Sequence, residues 1–157
     1  MNPAQLHLTI NHLPLVGLLI GFLVLATGLL VANNSVKKTA LGILLFSLCA
    51  TVGTNLTGEG AEETIDNLNL ATHDTIQAHK NAAGIFARMM YGVGLLSLLV
   101  TVAEIKQDLR KGWGYILLLI LCIATLWAAY DAGHSGGSIR HTEMNAYTVA
   151  EETNQRD

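Results

Sequence analysis

The chain has 157 residues, of which 51% are hydrophobic and 13% are charged. This length fits one domain, and the positive mean hydropathy of +0.42 is typical of a protein that lies in lipid. The formal net charge is only −3 and no basic cluster is present, so nucleic acid is excluded as an expected partner.

Four hydrophobic segments follow one another along the chain, each close to the roughly 20 residues that cross a hydrocarbon layer. They are residues 13–32, 39–56, 82–103 and 114–132. Backbone groups in lipid must pair within their own segment, and no alternating barrel pattern is present. We therefore expect an all-α fold, a bundle of four transmembrane helices in residues 1–147, with a disordered tail at 148–157.

The basic residues of the loops predict the orientation of the bundle. Those of the two short connections are Lys37, Lys38, Lys106, Arg110 and Lys111, against three basic residues on the opposite side. The positive-inside rule then places both termini outside, and we expect a multi-pass protein of the bacterial inner (cytoplasmic) membrane.

The long connection between the second and third segments, residues 57–81, lies on the same outer side. Its Ile65, Leu68 and Ile76 are spaced among acids and amides. This pattern predicts an amphipathic helix on the outer surface.

Imidazoles and carboxylates gather at the outer ends of the hydrophobic segments. The residues are His7, His12, His73, His79, His134, His141, Glu59, Glu62, Glu63 and Glu143. Imidazole with carboxylate binds transition metals, and imidazole binds haem iron. Residues of this kind, drawn from distant parts of a short chain, predict a site at the outer level.

Three segments supply the clearest members. His12 lies at the mouth of the first segment, where Pro14 stiffens the first helical turn. Glu59 and Glu63 share a helix face if the second helix continues that far, and His79 returns the chain to the same level. Each of these residues also fits a simpler interpretation, as a polar cap or a solvated surface group.

Arg88 lies about 13 Å deeper than His79, at 1.5 Å of rise per residue. A charge in lipid usually faces the bundle interior with a partner, here Asp131, a glutamate or a haem propionate, and the alternative is a side chain that snorkels to the surface. Arg88 and Asp131 could also lead a path for protons or metal ions. The inner halves of the helices offer almost no ionisable residues to continue such a path, because Glu104 stands alone at the far end.

The sequence Gly133-His134-Ser135-Gly136-Gly137 matches the Gly-x-Ser-x-Gly pattern of hydrolases. That elbow requires a preceding strand, whereas an apolar helix precedes it here, so a serine hydrolase is not expected. The glycines would instead let the chain fold back, so that His141 caps the bundle.

Four ordered segments carry a family resemblance. They are Asn11-His12-Leu13-Pro14, Thr57-Gly58-Glu59-Gly60-Ala61-Glu62-Glu63, His79 with Ala82-Ala83, and Gly137-Ser138-Ile139-Arg140-His141-Thr142-Glu143. Over nearly its whole length the chain resembles a family of small four-helix bacterial inner-membrane proteins of unknown function. The chain departs from the pattern at Gly60, where a proline is usual, and at Lys80, where an acid commonly follows the histidine.

The resemblance implies the four-helix fold and the positions of a site, and no activity. The positions that it picks out are His12, Glu59, Glu63, His79 and His141. It leaves His7 and His73 as bystanders.

We therefore expect a metal or haem centre at the periplasmic end of the bundle, serving redox chemistry or electron transfer. The ligands of an iron, zinc or copper ion would be His12, Glu59, Glu63, His79 and His141. A haem b would be held by His12 and His79, with Arg88 and Arg140 facing its propionates. The partners would be a periplasmic redox protein, other membrane subunits or a second copy of the chain.

A second expectation involves no cofactor. The small residues of Gly17-x3-Gly21, and Gly84 with Gly92, could pack against the helices of partner proteins. The chain would then be an accessory or scaffold subunit, and its outer polar residues would form only a structural network.

Overall fold

The structure, a computed structural model, describes residues 3–67, 73–108 and 111–154, and the side chains within 5–61, 73–108 and 112–137. In these ranges the chain forms five helices. They are α1 (Pro3–Ile10), α2 (Leu13–Leu30), α3 (Asn34–Asn67), α4 (His73–Ile105) and α5 (Lys111–Asn154). The predicted all-α fold is confirmed.

Four stretches of these helices are long and apolar enough to cross a membrane. They are Gln5–Leu30, Asn34–Ala61, His73–Ile105 and Gly112–Gly137. The four predicted spanning segments are therefore present, and the last three belong to longer helices than their apolar runs alone indicate.

The helices close into a ring, in which α2 packs on α3, α3 on α4, α4 on α5 and α5 on α2, while α1 packs on α3. Short turns join α2 to α3, so these neighbours are antiparallel. The bundle has two chemically different ends. We name the end that carries His7 and His79 the histidine end, and the end that carries Lys37, Lys38 and Lys106 the lysine end.

Glycines let neighbouring helices approach closely. Gly17 in α2 lies directly against Ser47 in α3, and a Cβ added to Gly21 would come within 2.6 Å of Leu44. Gly92 in α4 faces Leu121 in α5. The Gly17-x3-Gly21 face, which the sequence offered to external partners, is therefore used inside the bundle, whereas a Cβ added to Gly84 would meet only Arg88 of its own helix.

The exterior of the bundle is apolar, with exposed leucines, isoleucines and phenylalanine along the spanning helices. Trp113 and Tyr130 in α5 are 70% and 67% exposed. They stand 17 residues apart, about 25 Å along a helix, which is close to the thickness of a hydrocarbon layer. Aromatic side chains favour the two membrane–water interfaces, so this spacing supports a membrane-embedded bundle.

The structure differs from the sequence prediction in the long connection. Residues 57–67 continue α3, and residues from His73 onward already belong to α4. The separate amphipathic helix predicted within 57–81 is therefore not present in the described residues, because its two ends prolong the spanning helices. Residues 68–72, including the predicted Leu68, lie outside the described part.

The predicted fold-back at Gly136 and Gly137 is wrong, because α5 continues as a helix through Asn154, into the segment 148–157 that the sequence predicts to be disordered. A helical glycine costs only about 1 kcal/mol relative to alanine. The contact that Gly136 makes with His79 offsets part of this cost. His141 is thus carried about 9 Å beyond Ser135 along the helix axis rather than back over the bundle.

Candidate functional site

An interruption between α1 and α2 places His7. Pro14 has no N–H with which to bond the carbonyl of Ile10, four residues earlier, so the helical hydrogen bonding is broken there. The hydroxyl of Thr54 in α3 lies 3.4 Å from this carbonyl and bonds more closely, at 2.9 Å, to the carbonyl of Ala50, while the side chain of Ile10 lies over Gly53. The short helix α1 is thereby fixed against α3.

His7 is half-buried and hydrogen-bonded to α3. Its Nδ1 lies 3.1 Å from Oγ1 of Thr57, and the ring also bonds to the backbone of Thr54. The Thr57 hydroxyl donates its own proton within α3, to the carbonyl of Gly53 or Thr54. If the hydroxyl donates in this way, its oxygen accepts from His7, and the imidazole proton is assigned to Nδ1.

His79 in α4 repeats this arrangement on α5. Its Nδ1 lies 3.2 Å from Oγ of Ser135, and the ring also bonds to the backbone of Ala132. The Ser135 hydroxyl donates to the carbonyl of Ala132, at 3.1 Å. The same reasoning assigns the His79 proton to Nδ1.

The two halves of the site are equivalent in their chemistry. Thr57-Gly58 in α3 and Ser135-Gly136 in α5 each present a hydroxyl followed by a glycine against an imidazole. The two histidines also lie close enough to interact electrostatically. The histidine end thus holds a pair of imidazoles, each held through Nδ1 by a hydroxyl.

Asn11 adds an unsatisfied polar atom beside this pair. Its backbone N–H bonds to the carbonyl of His7, which puts the two residues one helical turn apart on the same side. The side-chain oxygen of Asn11 is buried and has no hydrogen-bond partner among the described residues. Such an atom costs about 1–3 kcal/mol, so it marks a place where a further group belongs.

The structure brings together only part of the predicted ligand set. His79 lies in the site, whereas His12 and Glu59 are exposed. The histidine that interacts with His79 is His7, which the resemblance leaves as a bystander, and the predicted pairing of His79 with His12 stays a prediction. The extra helix α1 returns His7 to α3.

Three predicted residues, Glu63, Arg140 and His141, lie on α3 and α5, but their side chains lie outside the described part of the chain. Within that part, no group of three or more histidine, cysteine, aspartate or glutamate side chains is arranged to hold a metal ion. The described part of the histidine end thus brings together two imidazoles, those of His7 and His79.

Arg88 is exposed, and its Nη1 lies 3.4 Å from the position that a Cβ on Gly84 would take. The side chain runs one turn toward the histidine end, as in the snorkelling alternative. No described carboxylate, Asp131 included, pairs with it. Glu104 differs from its expectation too, because its Oε2 lies 3.5 Å from Nζ of Lys38 and it is not alone.

Ser135 and His79 also have the residue types of a hydrolytic dyad. A nucleophilic serine would donate its proton to the imidazole, whereas the Ser135 hydroxyl lies 3.1 Å from the carbonyl of Ala132, which can accept that proton. His134 stacks on Tyr130, with ring centroids 6.1 Å apart, and both are exposed.

Comparisons of this chain with family models, with curated proteins and with solved structures find no match. The resemblance to small four-helix inner-membrane proteins therefore stays a prediction. The function must be argued from the geometry of the histidine end.

Proposed function

We propose that this chain is a multi-pass protein of the bacterial inner membrane that binds a haem b between His7 and His79 and carries electrons. The observation that supports it is the pair of imidazoles, each held through Nδ1 by a hydroxyl. Histidines that bind metals typically donate the other ring nitrogen to an acceptor in this way, which fixes the tautomer and the ring direction.

The number of ligands favours haem over a mononuclear metal. A haem iron takes four nitrogens from its macrocycle and needs only two axial ligands, whereas a structural zinc site takes four protein ligands and a catalytic site three. The described residues offer two imidazoles. An iron, zinc or copper centre would need Glu63 or His141 in addition, and it is the second form of the proposal.

Two histidines on one iron leave no open position for a substrate, so the proposed role is electron transfer rather than turnover. Arg88, which runs toward the histidine end, and Arg140 are proposed to neutralise the haem propionates. A periplasmic redox protein would be the partner.

The test is an absorption spectrum with metal analysis on protein extracted in a mild detergent. The proposal expects a Soret band, shifts of the visible bands on reduction, and one iron per chain. One zinc, copper or iron without a Soret band would favour the mononuclear form.

Protein that lacks both haem and metal, even when it is produced with added haem precursor and iron, would contradict both forms. The chain would then be a scaffold subunit. In that case the hydrogen bonds of His7 and His79 would only hold α1 to α3 and α4 to α5.

A further inference from the structure

A groove between α3 and α4 opens at the lysine end, far from the histidines. It encloses about 300 Å³ and is lined by Lys38, Leu41, Gly42, Leu45, Thr101, Glu104 and Ile105. A Cβ added to Gly42 would meet nothing within 4 Å, so the space above this glycine is open. Gly42 and Ile105 are exposed, which places the mouth of the groove on the apolar exterior.

One wall of the groove contains the buried carboxylate of Glu104, at a position where a negative charge is unfavourable. Glu104 is 9% exposed and lies in the last turn of α4, where the helix dipole disfavours a negative charge. The hydroxyl of the fully buried Tyr115 in α5 faces it. Ionisable groups at such positions are costly and usually functional.

Lys38 completes the polar end of the groove. Its Nζ lies 3.5 Å from the Glu104 carboxylate, and its side chain is 59% exposed. A charge-assisted hydrogen bond is normally about 2.7–2.9 Å long, so this ion pair is loose. The ammonium therefore keeps donors for a ligand in the groove.

The charges decide which ligand fits. Lys38 and Glu104 together are neutral, and the buried carboxylate would repel a phosphate placed against the lysine. Apart from Thr101, whose hydroxyl donates to the carbonyl of Ser97, the other lining residues offer no polar side chain. The groove thus suits a neutral, lipid-soluble molecule whose polar head accepts a hydrogen bond, and the open space over Gly42 admits a flat ring.

We propose that this groove binds the head of a lipid-soluble quinone, with one carbonyl oxygen accepting from Lys38 and the ring lying over Gly42. The isoprenoid tail leaves past Leu45 into the lipid. This site is independent of the histidine end, because it shares no residue with it.

The test is a titration of the protein with a short-chain benzoquinone in nanodiscs of zwitterionic lipid. Trp113 lies at the lysine end and the chain has two tryptophans, so a Trp127→Phe background reports quinone binding there by fluorescence quenching. Saturable quenching is expected. Lys38→Ala should weaken binding about tenfold, as expected for the loss of one charge-assisted hydrogen bond.

Gly42→Leu should abolish saturable quenching, because the leucine fills the open space without a clash. Its helical content, measured by circular dichroism, should stay unchanged. Lys106→Ala is the matched control, since it removes a positive charge at the same end outside the groove.

Quenching that increases linearly with quinone concentration, and equally in all variants, would show only that the quinone partitions into lipid. That result would overturn the assignment of the groove as a quinone site. Saturable binding of phosphatidylglycerol that displaces the quinone and depends on Lys38 would also overturn it, in favour of an anionic lipid.

Discussion

Two glycines set how tightly each imidazole of the proposed site is held. A Cβ added to Gly136 would lie 3.0 Å from Cε1 of His79, closer than carbon atoms normally approach. The corresponding distance from Gly58 to Cε1 of His7 is 3.7 Å, an ordinary contact. The two chemically equivalent halves of the site therefore differ in their tolerance of a methyl group.

This difference gives a matched pair of variants. Gly136→Ala should displace the His79 ring from Ser135 and lower cofactor affinity about 10- to 100-fold, the usual effect of losing the hydrogen bond that orients a ligand. Gly58→Ala should bind the cofactor as the unmodified protein does. Both should be measured as the fraction of cofactor retained during dilution.

Equal loss in both variants would mean that the site does not depend on the position of the His79 ring. The comparison is fair because both substitutions replace a helical glycine, so both gain similar helix propensity.

Hydrophobic runs identify helices better than they identify where helices end. The four predicted segments are all present, because only continuous helices satisfy the backbone in lipid. The polar residues after residue 56 predict a loop, yet they extend α3 to Asn67. The length of an apolar run reflects the thickness of the lipid layer. A helix ends where its backbone hydrogen bonding stops, and that point can lie outside the layer.

The same limit explains why the sequence does not single out His7 as a site residue. Residues 5–10 contain leucines and isoleucine around His7, a signal that the first apolar segment begins earlier than Leu13. Pro14 leaves the Ile10 carbonyl without its helical partner. Thr54, whose hydroxyl lies near this carbonyl, is 44 residues further along the chain. No local pattern contains that information.

Close packing between α3 and α4 also yields a prediction of stability. A Cβ added to Gly94 would come 2.5 Å from Leu48. Gly94→Ala should therefore lower the free energy of unfolding by about 1–3 kcal/mol, as overpacking usually does. Reversible unfolding in mixed detergent micelles measures it.

The control for this substitution is Gly42→Ala, whose Cβ meets nothing in the structure. It should be neutral or stabilising by about 0.5–1 kcal/mol, because alanine is the better helix former. If Gly94→Ala unfolds like this control, α3 and α4 do not approach each other closely at Leu48.

As a whole, the molecule places its imidazole pair at one end and four of its five lysines, Lys37, Lys38, Lys106 and Lys111, at the other. The positive-inside rule predicts that the lysine end faces the cytoplasm. A membrane-impermeant maleimide should then label Asp74→Cys in spheroplasts, and it should label Ser35→Cys only after permeabilisation. Both residues are exposed. The reverse pattern of labelling would place the histidine end in the cytoplasm.

The overall architecture follows from composition and hydropathy, and His79 could be identified from sequence because it stands at the start of an apolar segment. Its partner could not. The pairing of His7 with His79 requires α1 to pack on α3 and α4 to pack on α5 at the same level. That arrangement is a property of the closed ring of helices, and the separate segments do not contain it.

The central claim is that His7 and His79 bind the same iron. Electron paramagnetic resonance of the oxidised protein tests it most directly. A low-spin ferric signal from two imidazole ligands is expected. His7→Ala and His79→Ala should each convert it to a high-spin signal, and added imidazole should restore the low-spin signal. His12→Ala should leave the signal unchanged. A signal that survives the loss of His7 or His79, or that disappears with His12→Ala, would contradict the account.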